Sequence, residues 1–224
     1  MREVAGRRAS DEDEERGLDR RALLTLADGT PVDIRPLDER DVGRLVNFFR
    51  HVPVEDRLFL REDVVVSDVV YNWVRNYGPQ RSLVLVAEAD GEIVGNVTIE
   101  RQGAPWSRHV GELWVLVARE ARGQGIGRRL IEEGFREALH LGLEKIVAPM
   151  TANQVPAIEI FRNLGFMPEA MLTGYVKDPR AGESHDLVIM AHDVEAMGGR
   201  LSAIGLDEEE DEAGAAEGPR GERS

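Results

Sequence analysis

Polar and apolar positions along the chain predict a regular succession of elements. After the turn signal Asp28-Gly29, the run Val32-Asp33-Ile34-Arg35 alternates with period two and ends at Pro36, which predicts a short strand. Val42, Leu45, Val46 and Phe49 recur at helical spacing. A short helix is expected from Val54 to Leu60, and Ser67 is expected to cap another that carries Val70 and Val74. Leu83 to Ala87 reads as a buried strand, Asp90-Gly91 as a primed hairpin turn, and Ile93 to Ile99 as the return strand. A further strand is expected from His109 to Val117. A glycine-rich loop, Arg122 to Gly127, then leads into a long helix. Leu130, Ile131, Gly134, Phe135, Ala138 and Leu139 share one face of that helix, and Gly142 stops it. Lys145 to Ala148 predicts a strand. Residues 155–163 predict a helix with Pro156 in its first turn, and strands follow at about 170–177 and 185–192. The order is that of a mixed α/β single domain, with a central mixed sheet of about six to seven strands flanked by helices.

Charge changes this picture at the ends. The 224 residues carry a formal net charge of −14, with 42 acidic and 28 basic side chains other than histidine. Residues 207–224 hold eight acids and two bases. The expected organisation is a disordered charged arm over 1–22, a folded domain over 23–198 and a disordered acidic tail over 199–224. A chain this acidic is a poor general nucleic-acid binder, because phosphate contacts need a basic face. It suits cationic partners. With no cysteine there is no disulfide, thiolate metal site or cysteine nucleophile. The first residues lack an apolar signal core, and no apolar run approaches the roughly 20 residues of a membrane span. A cytoplasmic protein without membrane association or a metal is therefore expected.

The segment with chemical content is Val115-Leu116-Val117-Ala118-Arg119-Glu120-Ala121-Arg122-Gly123-Gln124-Gly125-Ile126-Gly127. A strand enters a loop with three glycines in five residues, and the loop opens an amphipathic helix. Such glycines let backbone N–H groups approach a ligand, and the helix start adds unpaired donors and a positive dipole end. Together they suit a pyrophosphate. The dinucleotide fingerprint G-x-G-x-x-G fails at Arg128, and the P-loop string is absent. The pattern R-x-x-G-x-G fits at Arg122, Gly125 and Gly127. A plain glycine turn is the bland alternative.

This loop resembles the acyl-CoA-binding motif of the GNAT acetyltransferase superfamily. Asn153-Gln154-Val155-Pro156-Ala157-Ile158-Glu159-Ile160-Phe161-Arg162-Asn163-Leu164-Gly165-Phe166 is similar to that family's next motif. The likeness covers about residues 23–195. Upstream, Leu26 to Leu37 with Asp41, then Phe48-Phe49 and Glu55-Asp56-Arg57-Leu58-Phe59, resemble the opening of bacterial Pat-type protein-lysine acetyltransferase domains.

The resemblance implies an acyl-CoA-dependent N-acyltransferase moving acetyl from acetyl-CoA to a primary amine. The acceptor would be a protein lysine or N-terminus, or a polyamine or aminoglycoside-type cation. It places the donor along Val115, Leu116 and Val117, on the loop Arg122, Gly123, Gln124, Gly125, Ile126, Gly127 and Arg128, and beside Asn153, whose alternative role is to cap the helix after it. It implies Glu112 as general base in a direct attack; an ordinary strand carboxylate is the other reading. Where many of these enzymes carry a tyrosine acid, this chain has Phe161, which has no proton to give; Tyr175 is the possible substitute. That departure keeps a second function open, a non-catalytic acyl-CoA-binding regulatory module. Trp114 is expected in the core, and Trp106 in a surface loop or lining the acceptor cleft.

Overall fold

The computed structural model describes residues 21–58, 60, 63–75, 82–178 and 181–194. The charged stretch 1–20, the tail from 195 onward, Phe59 and part of the loop after Asp178 lie outside the described residues.

One mixed sheet of eight strands runs β1 (Ala22–Thr25), β2 (Pro31–Pro36), β3 (Ser82–Ala89), β4 (Glu92–Arg101), β5 (Val110–Val117), β6 (Lys145–Thr151), β8 (Ser184–Asp193), β7 (Met167–Lys177). The strand missing from the sequence reading is β1. Its four residues are too few to signal by themselves and are held by pairing with β2, from Ala22↔Ile34 to Thr25↔Pro31. Arg21, just before it, pairs with Asp33 at 3.3 Å.

The helices are α1 (Val42–His51), α2 (Ser67–Arg75), α3 (Ile126–His140) and α4 (Val155–Asn163). The helix expected from Val54 to Leu60 is only a 3₁₀ turn, Val54–Asp56, begun by Pro53. Ser67 is the first residue of α2 rather than the cap before it. At the β3–β4 hairpin both Asp90 and Gly91 have positive φ, as a type I′ turn requires.

Helices cover the sheet on both faces, so β3 is buried along nearly its whole length. On one face α3 and α4 set Leu130, Ile131, Phe135 and Phe161 against Val97, Ile99, Leu113, Ile146 and Met190. On the other, α1 and α2 set Leu45, Phe48, Phe49 and Val70 against Val84, Val86 and Leu116. Leu139, expected on the buried face of α3, is exposed one residue before the helix ends.

The start of α1 is tied to the sheet by charge. Asp41 is fully buried and takes both Arg35 Nη atoms, at 2.7 and 2.9 Å, and a third bond from Arg44. Arg35 also reaches Glu88 at 2.6 Å, so β2, β3 and α1 share one ionic network.

Candidate active site

The glycine loop owes its shape to local sequence. After β5 the chain makes a 3₁₀ turn, Arg119–Ala121. Gly123 and Gly125 then take φ values of +75° and +87°, a region that costs an L side chain roughly 1–2 kcal/mol. Gly125 stands at the N-cap of α3, and its carbonyl accepts the N–H of Arg129 at 3.0 Å. The N–H groups of the first turn of α3 are left without intrahelical acceptors. A Cβ built on Gly125 would meet nothing within 4 Å, so the space above the loop is open.

A cleft of about 610 Å³ lies over this loop, within the usual range of roughly 300–1,000 Å³ for ligand sites. Of the residues expected at the donor site, Val115, Leu116, Val117, Arg122, Gly123, Gly125, Ile126, Gly127, Arg128 and Asn153 line it. Gln124 does not. Its amide turns back to the Glu120 carbonyl at 3.4 Å. The side chains of Ile126 and Leu116 point into the two cores, which leaves their backbone for a ligand. Arg128 pairs with Glu132 at 2.8 Å, one turn along α3. Asn153 is exposed in the cleft wall and is not the cap of α4; that position is Gln154, with no side-chain cap bond. The glycine conformations, the open space and the free helix start fit a bound pyrophosphate.

The cleft exists because two strands part. β5 and β6 pair in parallel only from Val110↔Lys145 to Glu112↔Val147. Against β4, β5 stays paired as far as Gly95↔Val117. The backbone of β5 beyond Glu112 therefore has one edge outside any ladder.

Glu112 stands at the closed end of this gap. It does not line the cleft over the loop, because its side chain lies on the α1/α2 face of the sheet, shared with Leu116. It is 7% exposed. Trp114 Nε1 donates to its Oε1 at 3.1 Å, and Gln102 Nε2 donates to its Oε2 at 3.2 Å. Trp114 is thus half-buried and engaged with Glu112, not packed in the core as expected. Glu100 stands opposite Glu112 on β4.

Phe161 is buried in the cleft wall, its ring against Phe166 at 4.7 Å between centroids. Tyr175 is 68% exposed on β7 and does not line the cleft; Trp106 is 82% exposed and does not line it either.

Two acidic residues are among the lining residues that went unrecognised as site residues. Glu55 and Asp56, from the 3₁₀ turn after α1, also line the cleft. Asp56 Oδ2 lies 2.6 Å from Arg122 Nη2, and Glu55 Oε1 lies 3.4 Å from Arg119 Nη2. Nothing in their local spacing signals this, since the partners are 66 and 64 positions apart.

Residues 47–166 match the model of the acetyltransferase (GNAT) family. A curated relative is the putative phosphinothricin acetyltransferase YwnH of Bacillus subtilis, 20% identical over 162 residues, which are 72% of this chain and 98% of that protein. Among solved structures, the GNAT domain of S. lividans PAT superposes with a TM-score of 0.64 at 22% identity, over 77% of this chain and 96% of that one. The putative acetyltransferase yncA of Salmonella typhimurium, solved with its cofactor acetyl-CoA, gives 0.64 at 22% identity, over 73% and 94%. At these identities the two structures establish the fold.

Proposed function

This chain belongs to the acetyltransferase (GNAT) family, whose members transfer acetyl groups to amines, and from that premise we propose that it uses acetyl-CoA and a direct attack assisted by Glu112. The observation that carries this reading is the parting of β5 from β6 immediately after Glu112. It puts a shielded carboxylate beside an open strand edge that leads to the anion cradle at Gly123–Gly127.

Acetyl-CoA would supply an activated thioester; the rest is work for this chain's residues. The backbone N–H groups at the start of α3 hold the pyrophosphate. Main-chain groups of Val115 and Val117 orient the donor arm, and a β5 N–H is the donor available to its carbonyl. An alkyl amine with an unperturbed pKa near 10.4 is almost wholly protonated at pH 7, so it needs a proton acceptor. Glu112 can be that acceptor directly or through a water molecule. Trp114 and Gln102 donate to its two oxygens and orient the carboxylate. The departing thiolate, of a thiol with a pKa near 8.5, needs no dedicated acid. Phe161 in the tyrosine position is compatible with turnover.

Charge favours one class of acceptor. With a net charge of −14, the protein attracts cations. We assign a primary amine on a cationic acceptor: a protein lysine or N-terminus, or a polyamine or aminoglycoside-type molecule. The test is release of free thiol from acetyl-CoA against a panel of lysine-bearing proteins, polyamines and aminoglycosides, with phosphinothricin added because the B. subtilis relative is named for it. Acetylated product identified by mass spectrometry supports the reading. Tight acetyl-CoA binding without transfer to any amine overturns it.

A further inference from the structure

Arg122 is held from two directions. Its Nε donates to the Val117 carbonyl at 3.0 Å, and its Nη2 meets Asp56 Oδ2 at 2.6 Å. Val117 belongs to the part of β5 beyond its ladder with β6, the edge along which the donor arm would run. Asp56 comes from the 3₁₀ turn after α1. Val117, Arg122 and Asp56 all line the same cleft. Asp56 is the more buried partner, with 19% of its side chain exposed against 41% for Arg122.

A carboxylate placed here is unfavourable for a pyrophosphate-binding loop in two ways. It neutralises the arginine nearest the glycines, and its own charge opposes the incoming phosphates. Arg122 also covers the Val117 carbonyl while it faces Asp56. A ligand that uses both the loop and the strand edge must draw Arg122 away from this arrangement.

We propose that Asp56 sets the affinity of the donor site: Asp56 holds Arg122 at the wall of the cleft, and the pyrophosphate of the acyl donor competes with Asp56 for Arg122. This rests on the acetyl-CoA reading above. The site thereby exchanges an internal anion for an external one, and donor affinity is held below what the loop alone would give. Glu55 and Arg119, both exposed, add little to this competition.

Calorimetric titration of the full chain with acetyl-CoA tests this at low salt, using the wild type, Asp56→Asn, Asp56→Ser and Arg122→Gln. The melting temperature of each ligand-free variant checks folding. Both Asp56 variants are expected to bind acetyl-CoA about three- to tenfold more tightly, the scale of one partly screened charge at close range. Arg122→Gln is expected to bind more weakly. Unchanged or weaker binding by folded Asp56→Asn and Asp56→Ser, with wild-type binding intact, overturns this proposal alone and makes Asp56 a support for Arg122. If neither the wild type nor the variants bind acetyl-CoA, the donor assignment fails and this inference with it.

Discussion

Glu112 and Val147 form the last rung of the parallel ladder between β5 and β6. One residue later the strands diverge, and the carboxylate is left at the vertex of the opening with two side-chain donors on its oxygens. The vertex is where a nucleophile arriving from the α1/α2 face would meet a ligand laid along β5.

Glu112→Gln should therefore lower turnover by roughly 10²–10⁴-fold at pH 7, the usual worth of a general base. Acetyl-CoA affinity should barely move, because the loop and strand backbone hold the donor. The deficit should shrink at high pH, where more of the amine is already neutral. Steady-state kinetics from pH 6 to 9, paired with calorimetry, decide it. Turnover equal to wild type across that range would pass the role to another carboxylate, with Glu100, across the ladder, the first to examine.

At the loop, Gly125→Glu adds charge and bulk where a Cβ now finds open space. The fold should survive, with a strain of roughly 1–2 kcal/mol from the positive φ. Acetyl-CoA binding should be lost. Gly125→Asn, a residue that tolerates this conformation, separates strain from obstruction: it should melt closer to wild type than the Glu variant and keep measurable binding. A folded Gly125→Glu protein with normal affinity would remove the loop from the donor site.

Phe161→Tyr asks whether a proton donor is wanted in the cleft wall. The ring is buried against Phe166, so the new hydroxyl must find a partner or face the cleft. Turnover should change by less than about tenfold, since the thiolate leaves unaided. A gain of 10² or more, the low end of what an acid contributes, would show that protonation of the leaving group limits the native enzyme.

Away from the site, Asp41 is the buried anchor of an ionic network. Burial pushes its carboxyl pKa up, but hydrogen bonds from Arg35, the Asp38 N–H and Arg44, with the Arg35 charge, outweigh that and hold it below the ordinary carboxylate value. Glu88 is also lowered, chiefly by its hydrogen bond from Arg35. Groups with depressed folded-state pKa values stabilise the fold above their unfolded values, about 3.9 and 4.3, and that contribution is lost as pH falls through the lower folded values. The wild type should keep a flat melting temperature from about pH 5 upward and lose stability below pH 4. Asp41→Ala leaves Arg35 facing a buried vacancy and should cost about 3–5 kcal/mol in chemical denaturation. Asp41→Asn should be less stable at neutral pH, and its acid loss should be shallower. An Asp41→Asn protein with the wild-type acid profile would assign acid sensitivity to other carboxylates.

Much of this molecule is determined by short stretches of its sequence. Among the described residues, apolar spacing at 2.0 or 3.6 residues marks seven of the eight strands and the four α-helices, because which face is buried depends on period alone. The loop from Arg122 to Gly127 declares itself because positive φ demands glycine and a helix start offers free N–H groups wherever it stands. What folding decided are relations between distant segments. β1 becomes a strand only once β2 is there to pair with it. Glu112 faces α1 and α2, and alternation along β5 could not say which face that was until α3 had taken the other. The gap beside Glu112 follows from where pairing with β6 stops, and Asp56 reaches Arg122 across 66 residues of chain. These depend on long-range register and on charges brought together by packing, for which a local stretch of sequence carries no periodic signal.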